Sequence, residues 1–200
     1  IRIFVSGSQF KENILRRTKL PSSALTVIGS RKNRTEKLSF TKRKDVTVLF
    51  AAEGSRESLV EFINLAFYSS LENPGTTFIV RAHPASADYK LELFKKAGKH
   101  SSNFYLSRES LIDDLHKATH CVYRSSSVGL EGLLYGVIPI HYAAEMNSVL
   151  DPINTLDLPH MQFTDTDAFN QKIKEISKNH IDIDEQQLRN YREVFKGYFE

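Results

Sequence analysis

One stretch leaves this chain few folds to choose from: Cys121-Val-Tyr-Arg-Ser-Ser-Ser-Val-Gly-Leu-Glu-Gly-Leu-Leu-Tyr-Gly-Val-Ile-Pro-Ile140. Ala118 to Tyr123 reads as a short buried strand that runs into a serine cluster. Ser125, Ser126 and Ser127 are good helix N-caps, and Val128, Leu130, Leu133 and Leu134 then suit the buried side of a helix. Gly136 marks the helix end, and Val137 to Ile140 reads as the next buried strand. The result is a βαβ unit. Its turn puts hydroxyls and backbone N–H groups at the positive end of a helix, where a phosphate is well placed. Glu131, one turn further on, could accept hydrogen bonds from a pair of ribose hydroxyls. Serines before a helix also serve simply as caps, and a first-turn glutamate as a partner for the dipole. Gly129 and Gly132 each weaken a helix by about 0.5–1 kcal/mol relative to Ala. Two of them in one short helix point to close approach by a ligand or a neighbouring strand.

The rest of the chain repeats this alternation. Ile1 to Val5 reads as a strand, Ser8 opens a helix through Phe10, Ile14 and Leu15 up to the Leu20-Pro21 break, and Leu25 to Ile28 is a short strand. Residues 1–45 are taken as the end of a preceding domain plus a linker. The main domain, 46–165, starts with the strand Val46 to Ala51. It continues through a helix from Ser55 to Leu71, a strand from Thr76 to Arg81, and a helix from Ala87 to Ala97 with Leu91, Phe94 and Ala97 inward. A strand from Asn103 to Leu106 follows, then a helix from Ser107 to Lys117 with Ser110 and Asp113 spaced as a capping box. Met161 to Thr164 is expected as a last strand. Residues 166–200 supply two closing helices, Asp167 to Lys178 and Glu185 to Phe199, the second capped by Asp184 and Gln187. Strands alternating with helices predict right-handed crossovers and a Rossmann-like, doubly wound parallel sheet.

Composition narrows the classes. A chain of 200 residues that is 40% hydrophobic can bury a full core, and no apolar run approaches the length of a membrane span. It begins Ile-Arg-Ile-Phe-Val in what reads as mid-strand, so an earlier part of the protein is expected. The single cysteine, Cys121, rules out an intrachain disulfide framework and fits a reducing cytoplasm. The net charge is only +3, but Arg31, Lys32, Arg34, Lys37, Lys42, Arg43 and Lys44 are set against one acid, Glu36. Such a run is a solvated linker or a contact for anionic lipid at the inner membrane face. Nucleic acid is not the expected partner, because no recognition motif accompanies the charge.

Ligands on doubly wound sheets bind at the carboxyl ends of the strands, at the topological switch point. Three strand ends carry informative residues. After the first main strand come Glu53, Gly54 and Ser55, where Gly54 permits a tight turn and Ser55 caps the next helix. After the second come Arg81, Ala82, His83 and Pro84. Arg81 either neutralises a phosphate or supports the loop. His83, held extended by Pro84, could donate to a phosphate oxygen or protonate a leaving group. After the fourth stand Ser125, Ser126, Ser127 and Glu131. Tyr105, Tyr123, Tyr135 and Tyr142 lie near strand ends without an assigned role.

The pattern Glu53-Gly54, His83-Pro84 and Ser125-Ser126-Ser127, with the glutamate-bearing helix around Glu131, resembles the C-terminal, donor-binding domain of GT-B glycosyltransferases. Within that group it is most similar to bacterial sialyltransferases, polysialyltransferases and capsule Kdo-transferases, and to the related glycerophosphotransferases. The resemblance covers roughly residues 46–165, and the opening segment is similar to the end of a GT-B N-terminal domain. It implies His83 and the serines on a nucleotide phosphate and Glu131 on ribose. It also implies a nucleotide-sugar donor, CMP-linked by preference, a glycan or glycolipid acceptor, and work at the cytoplasmic face of the membrane in surface-polysaccharide synthesis. The chain departs at Ala52, where the family pattern prefers a second acid, which weakens Glu53 as a base; the base is expected in the N-terminal domain. The expected chemistry is metal-independent and uses no cofactor, with Arg81, His83, hydroxyls and the helix dipole offsetting the phosphate charge. A polyol-phosphate transferase using a CDP-alcohol, a UDP-sugar transferase or epimerase, and a non-catalytic nucleotide-binding module are the alternatives.

Overall fold

The computed structural model describes residues 2–30, 45–89, 101–143, 153, 161–179 and 184–199. Strands β1 (Ile3–Val5) and β2 (Leu25–Val27) pair in parallel as a small separate sheet, with helix α1 (Ser8–Arg17) between them. The main sheet has β3 (Thr47–Ala51), β4 (Thr77–Arg81), β5 (Phe104–Leu106), β6 (His120–Tyr123), β7 (Ile138–Tyr142) and β8 (Met161–Phe163). All five pairings are parallel, in the order β5-β4-β3-β6-β7-β8. Counted from β3, this is the doubly wound order 3-2-1-4-5-6, whose chain reverses direction between β3 and β6. The expected sheet is therefore present.

Both sheet faces are covered, so the strands read as continuous apolar runs rather than as alternating ones. Val48, Phe50, Phe78, Val80 and Val122 face one layer, formed by α2 (Arg56–Glu72) and α5 (Thr166–Asn179). Phe50 sits there edge-on to Phe62 at 5.8 Å and to Phe169 at 5.4 Å. Leu49, Ala51, Ile79, Cys121 and Tyr123 face the other layer, formed by α3 (Leu111–Lys117), α4 (Val128–Leu133) and α6 (Glu185–Phe199). Burial pushes the Cys121 thiol well above its ordinary range, so it packs as a small hydrophobe.

The leading segment and the final helix meet. Ser6 Oγ donates to the Tyr198 carbonyl at 2.9 Å, and the Phe10 and Tyr198 rings lie edge to face at 4.9 Å. At Gly7 a Cβ would stand 2.3 Å from the Tyr198 carbonyl carbon, so only glycine lets the two backbones approach this closely.

Several boundaries differ from expectation for local reasons. The third main-domain helix starts at Leu111 rather than Ser107, because Ser110 and Asp113 form the capping box at its start. Ser107 instead donates to Asp114. Gly129 and Gly132 make room for strands rather than for a ligand. A Cβ on Gly129 would lie 2.9 Å from the Tyr123 ring, and one on Gly132 3.3 Å from Val137. Gly136, at φ +67°, closes α4 in a Schellman arrangement: Val137 N donates to Gly132 O and Gly136 N to Leu133 O. Pro84–Tyr89 forms a 3-10 turn kinked at Ser86. The remainder of the helix read from Ala87 to Ala97, and the basic run 31–44, lie outside the described residues. Among the described residues, no helix is long and apolar enough to cross a membrane.

Candidate functional site

The strands β4, β3 and β6 are neighbours, so the three informative loops lie side by side at one sheet edge. The β3–α2 turn is laced by its own polar groups. Ser55 Oγ accepts from Ser58 N at 3.1 Å, and Glu53 N donates to Ser58 Oγ at 3.1 Å. This turns the Glu53 side chain across the switch point. One of its carboxylate oxygens accepts from Ser125 N at 3.1 Å and from the Ser125 hydroxyl.

Glu53 and Ser125 thus join the two halves of the sheet where a doubly wound fold places its ligand. The His83 ring lies over Gly54: a Cβ there would be 3.4 Å from His83 Nδ1. Nδ1 accepts from Ala85 N at 3.1 Å, so neutral His83 carries its proton on Nε2, the remaining donor of an exposed ring. The backbone supports this pose, because the His83 carbonyl accepts from both Ser86 N and Ser86 Oγ.

The three serines divide their work. Ser125 gives both donors to Glu53. Ser127 Oγ donates to Glu131 Oε1 at 3.1 Å, so the carboxylate expected on ribose is already steered by the loop. Ser126 Oγ accepts from Val128 N at 3.3 Å, which leaves its hydroxyl proton for a ligand. Of the three hydroxyls expected on a phosphate, two thus donate to carboxylates and that of Ser126 accepts from the backbone. The helix that the serines precede has only six residues, and Ser127 adopts αR backbone without a side-chain cap.

Arg81 makes loop-supporting contacts. Its Nη1 donates to Asp114 Oδ2 at 2.7 Å and to the Glu109 carbonyl at 2.6 Å. Asp114 is 2% exposed, and a buried carboxylate needs a cation, so the guanidinium is held on that side of the sheet.

A second arginine is the residue that sequence reasoning missed. Arg124 directly precedes the serines and is 9% exposed. It pairs with Glu61 of α2, and its guanidinium lies 4.9 Å from the Tyr142 ring and 5.6 Å from the Phe62 ring. Tyr142 Oη donates to Glu61 Oε1 at 2.6 Å. Burial, then that bond to Glu61, raises the Tyr142 phenol above its ordinary range, so it stays a donor. A lone arginine inside an apolar strand end was the available signal. The other tyrosines fall to packing or edge positions. Tyr123 and Tyr135 are buried, whereas Tyr105 is 47% exposed and donates to the Ser102 carbonyl.

The chain contains two Asp-x-Asp pairs, Asp165-Thr-Asp167 and Asp182-Ile-Asp184. Asp165 and Asp184 have helix-capping work, accepting from Ala168 N and Gln187 N respectively.

No protein-family model matches the chain, and no curated protein matches it in sequence. Solved structures do match in fold. The glycotransferase of kitacinnamycin superposes with a TM-score of 0.62 at 16% identity, over 98% of this chain and 51% of that one. The pneumococcal O-GlcNAc transferase GtfA, solved with UDP and GlcNAc, gives 0.60 at 12% identity, over 98% and 42%. The UDP-GlcNAc 2-epimerase of Neisseria meningitidis, bound to UDP-GlcNAc, gives 0.55 at 12%, over 98% and 56%. The fold is the Rossmann-like fold of GT-B C-terminal domains. The chain spans about half the length of these structures.

Proposed function

We propose that this chain is the donor-nucleotide-binding part of a GT-B glycosyltransferase. The observation that carries the reading is the Glu53–Ser125 bridge across the β3–β6 switch point, with His83 seated on Gly54 beside it. In this reading His83 Nε2 and the Ser126 hydroxyl donate to the donor's phosphate, and Glu131, steered by Ser127, accepts from ribose hydroxyls. Glu53 positions the serine loop. Charge on the departing phosphate is offset by neutral donors, without a metal ion. Catalysis of transfer, with its base and acceptor site, belongs to the longer protein.

The donor is proposed to be cytidine-linked, as the His-Pro and triple-serine motifs imply. A uridine donor is the second reading, favoured by the UDP and UDP-GlcNAc in the structures that share the fold. Calorimetric titration with CMP, CDP and UDP decides between them. Binding weakened by about 1–3 kcal/mol in both His83→Ala and Ser126→Ala supports the site. CMP tightest supports the cytidine donor, UDP tightest replaces it, and CDP clearly above CMP favours transfer of a polyol phosphate. Nucleotide binding that neither variant alters would overturn the site.

A further inference from the structure

A groove of about 630 Å³ runs along α2, outside the crevice just described. One stripe of α2 lines it at helical spacing: Glu57, Glu61, Asn64 and Tyr68. The opposite face of that helix is the core, with Leu59, Phe62 and Ala66 fully buried, so the stripe is held on a rigid support. Tyr142 and Thr166 form the far wall. The groove begins at Arg56, the residue after the Ser55 cap, and is therefore continuous with the β3 end of the crevice.

We propose that this groove binds a neutral oligosaccharide chain. Its size lies within the range of small-molecule sites, roughly 300–1,000 Å³. Its chemistry is that of hydroxyl recognition: carboxylate and amide oxygens that accept, an amide that donates, and an aromatic ring for the apolar face of a sugar. Tyr68 supplies the ring, at 58% exposure. Tyr142 supplies an edge and a hydroxyl instead, because its faces are covered by Phe163, stacked at 4.8 Å, and by Arg124 at 4.9 Å. Glu61 is preset, its two oxygens engaged by Tyr142 and Arg124, with further lone pairs available to a sugar hydroxyl. The formal charges balance, Arg56 and the buried Arg124 against Glu57 and Glu61, so an uncharged chain fits better than a polyanion. The groove rests on the donor-site reading only for its biological sense, as a hold on a neutral glycan segment beside the donor, separate from the acceptor site of the longer protein.

The test titrates this chain with maltohexaose, cellohexaose and chitohexaose, and with hexameric oligosialic acid as the charged control. Saturation-transfer NMR and calorimetry would be run up to ~10 mM. At least one neutral hexasaccharide is expected to bind. Tyr68→Ala and Asn64→Ala, both at exposed positions, are expected to weaken it about tenfold while changing nucleotide affinity by less than about twofold. His83→Ala should leave saccharide binding intact, which separates failure of the groove from failure of the crevice. The proposal is overturned if no neutral saccharide binds, if only the charged control binds, or if binding survives both α2 variants unchanged.

Discussion

The Glu53 carboxylate and the Ser125 backbone N–H meet at 3.1 Å across the point where the strand order reverses, and the Ser125 hydroxyl joins the same oxygen. The two substitutions are therefore unequal. Glu53→Ala removes the acceptor of two hydrogen bonds and should destabilise the fold by about 1–3 kcal/mol. Ser125→Ala keeps the backbone bond and should cost about half as much. Urea denaturation of both variants checks the order, and equal losses would mean that the backbone bond carries no weight.

Gly129→Ala drives a methyl group to 2.9 Å from the buried Tyr123 ring. Overpacking of this kind should cost roughly 1–3 kcal/mol, even though alanine is the better helix former. Gly75 has open space around its missing Cβ. Gly75→Ala should be neutral or stabilising by up to about 1 kcal/mol. Thermal unfolding of the pair should show opposite or clearly separated shifts.

Gly7→Ala probes the contact between the leading segment and the last helix. The obstacle is Tyr198 backbone at 2.3–2.5 Å, which cannot swing aside as a side chain would. The backbone at Gly7 is extended, so alanine could adopt its dihedrals and the penalty is purely steric. A loss of at least about 2 kcal/mol is expected, together with faster proteolysis of residues 2–30 at low protease. Unchanged stability would show that α6 can shift.

The α3 capping box makes a pH prediction. The Ser110 hydroxyl, followed by its backbone N–H, holds the Asp113 carboxyl below its ordinary 3.8. A depressed acid contributes stability that is fully present above 3.8 and is lost as pH falls through the lower, folded-state value. Asp113→Asn should remove that dependence, so the stability curves of variant and parent converge at the acid end. Curves that stay parallel through this range would sink the argument.

Much of this architecture was legible in the chain. Strands buried on both faces announce themselves as apolar runs, and Ser55, Ser110 and Asp184 cap the helices they precede. Local rules sufficed because each of these groups bonds within a few residues of itself. The pairings that sort the site residues span far longer intervals. Arg81 was drawn to Asp114, 33 residues on, and Arg124 to Glu61, 63 residues back. Which carboxylate meets which arginine depends on strand order, and no spacing in the sequence encodes that. The serines show the same limit. Ser126 with Val128 and Ser127 with Glu131 are local pairings, but the bond from Ser125 to Glu53, 72 residues back, required the sheet to be assembled first.

The reversal between β3 and β6 also has a kinetic and calorimetric meaning. Glu53 and Ser125 are 72 residues apart, so the crevice closes only after a long loop has lost its freedom. A nucleotide that binds here stabilises the whole sheet by mass action, about 2.7 kcal/mol at a hundredfold excess over Kd. The melting temperature of the intact chain therefore becomes a direct gauge of occupancy at a single hydrogen-bonded seam.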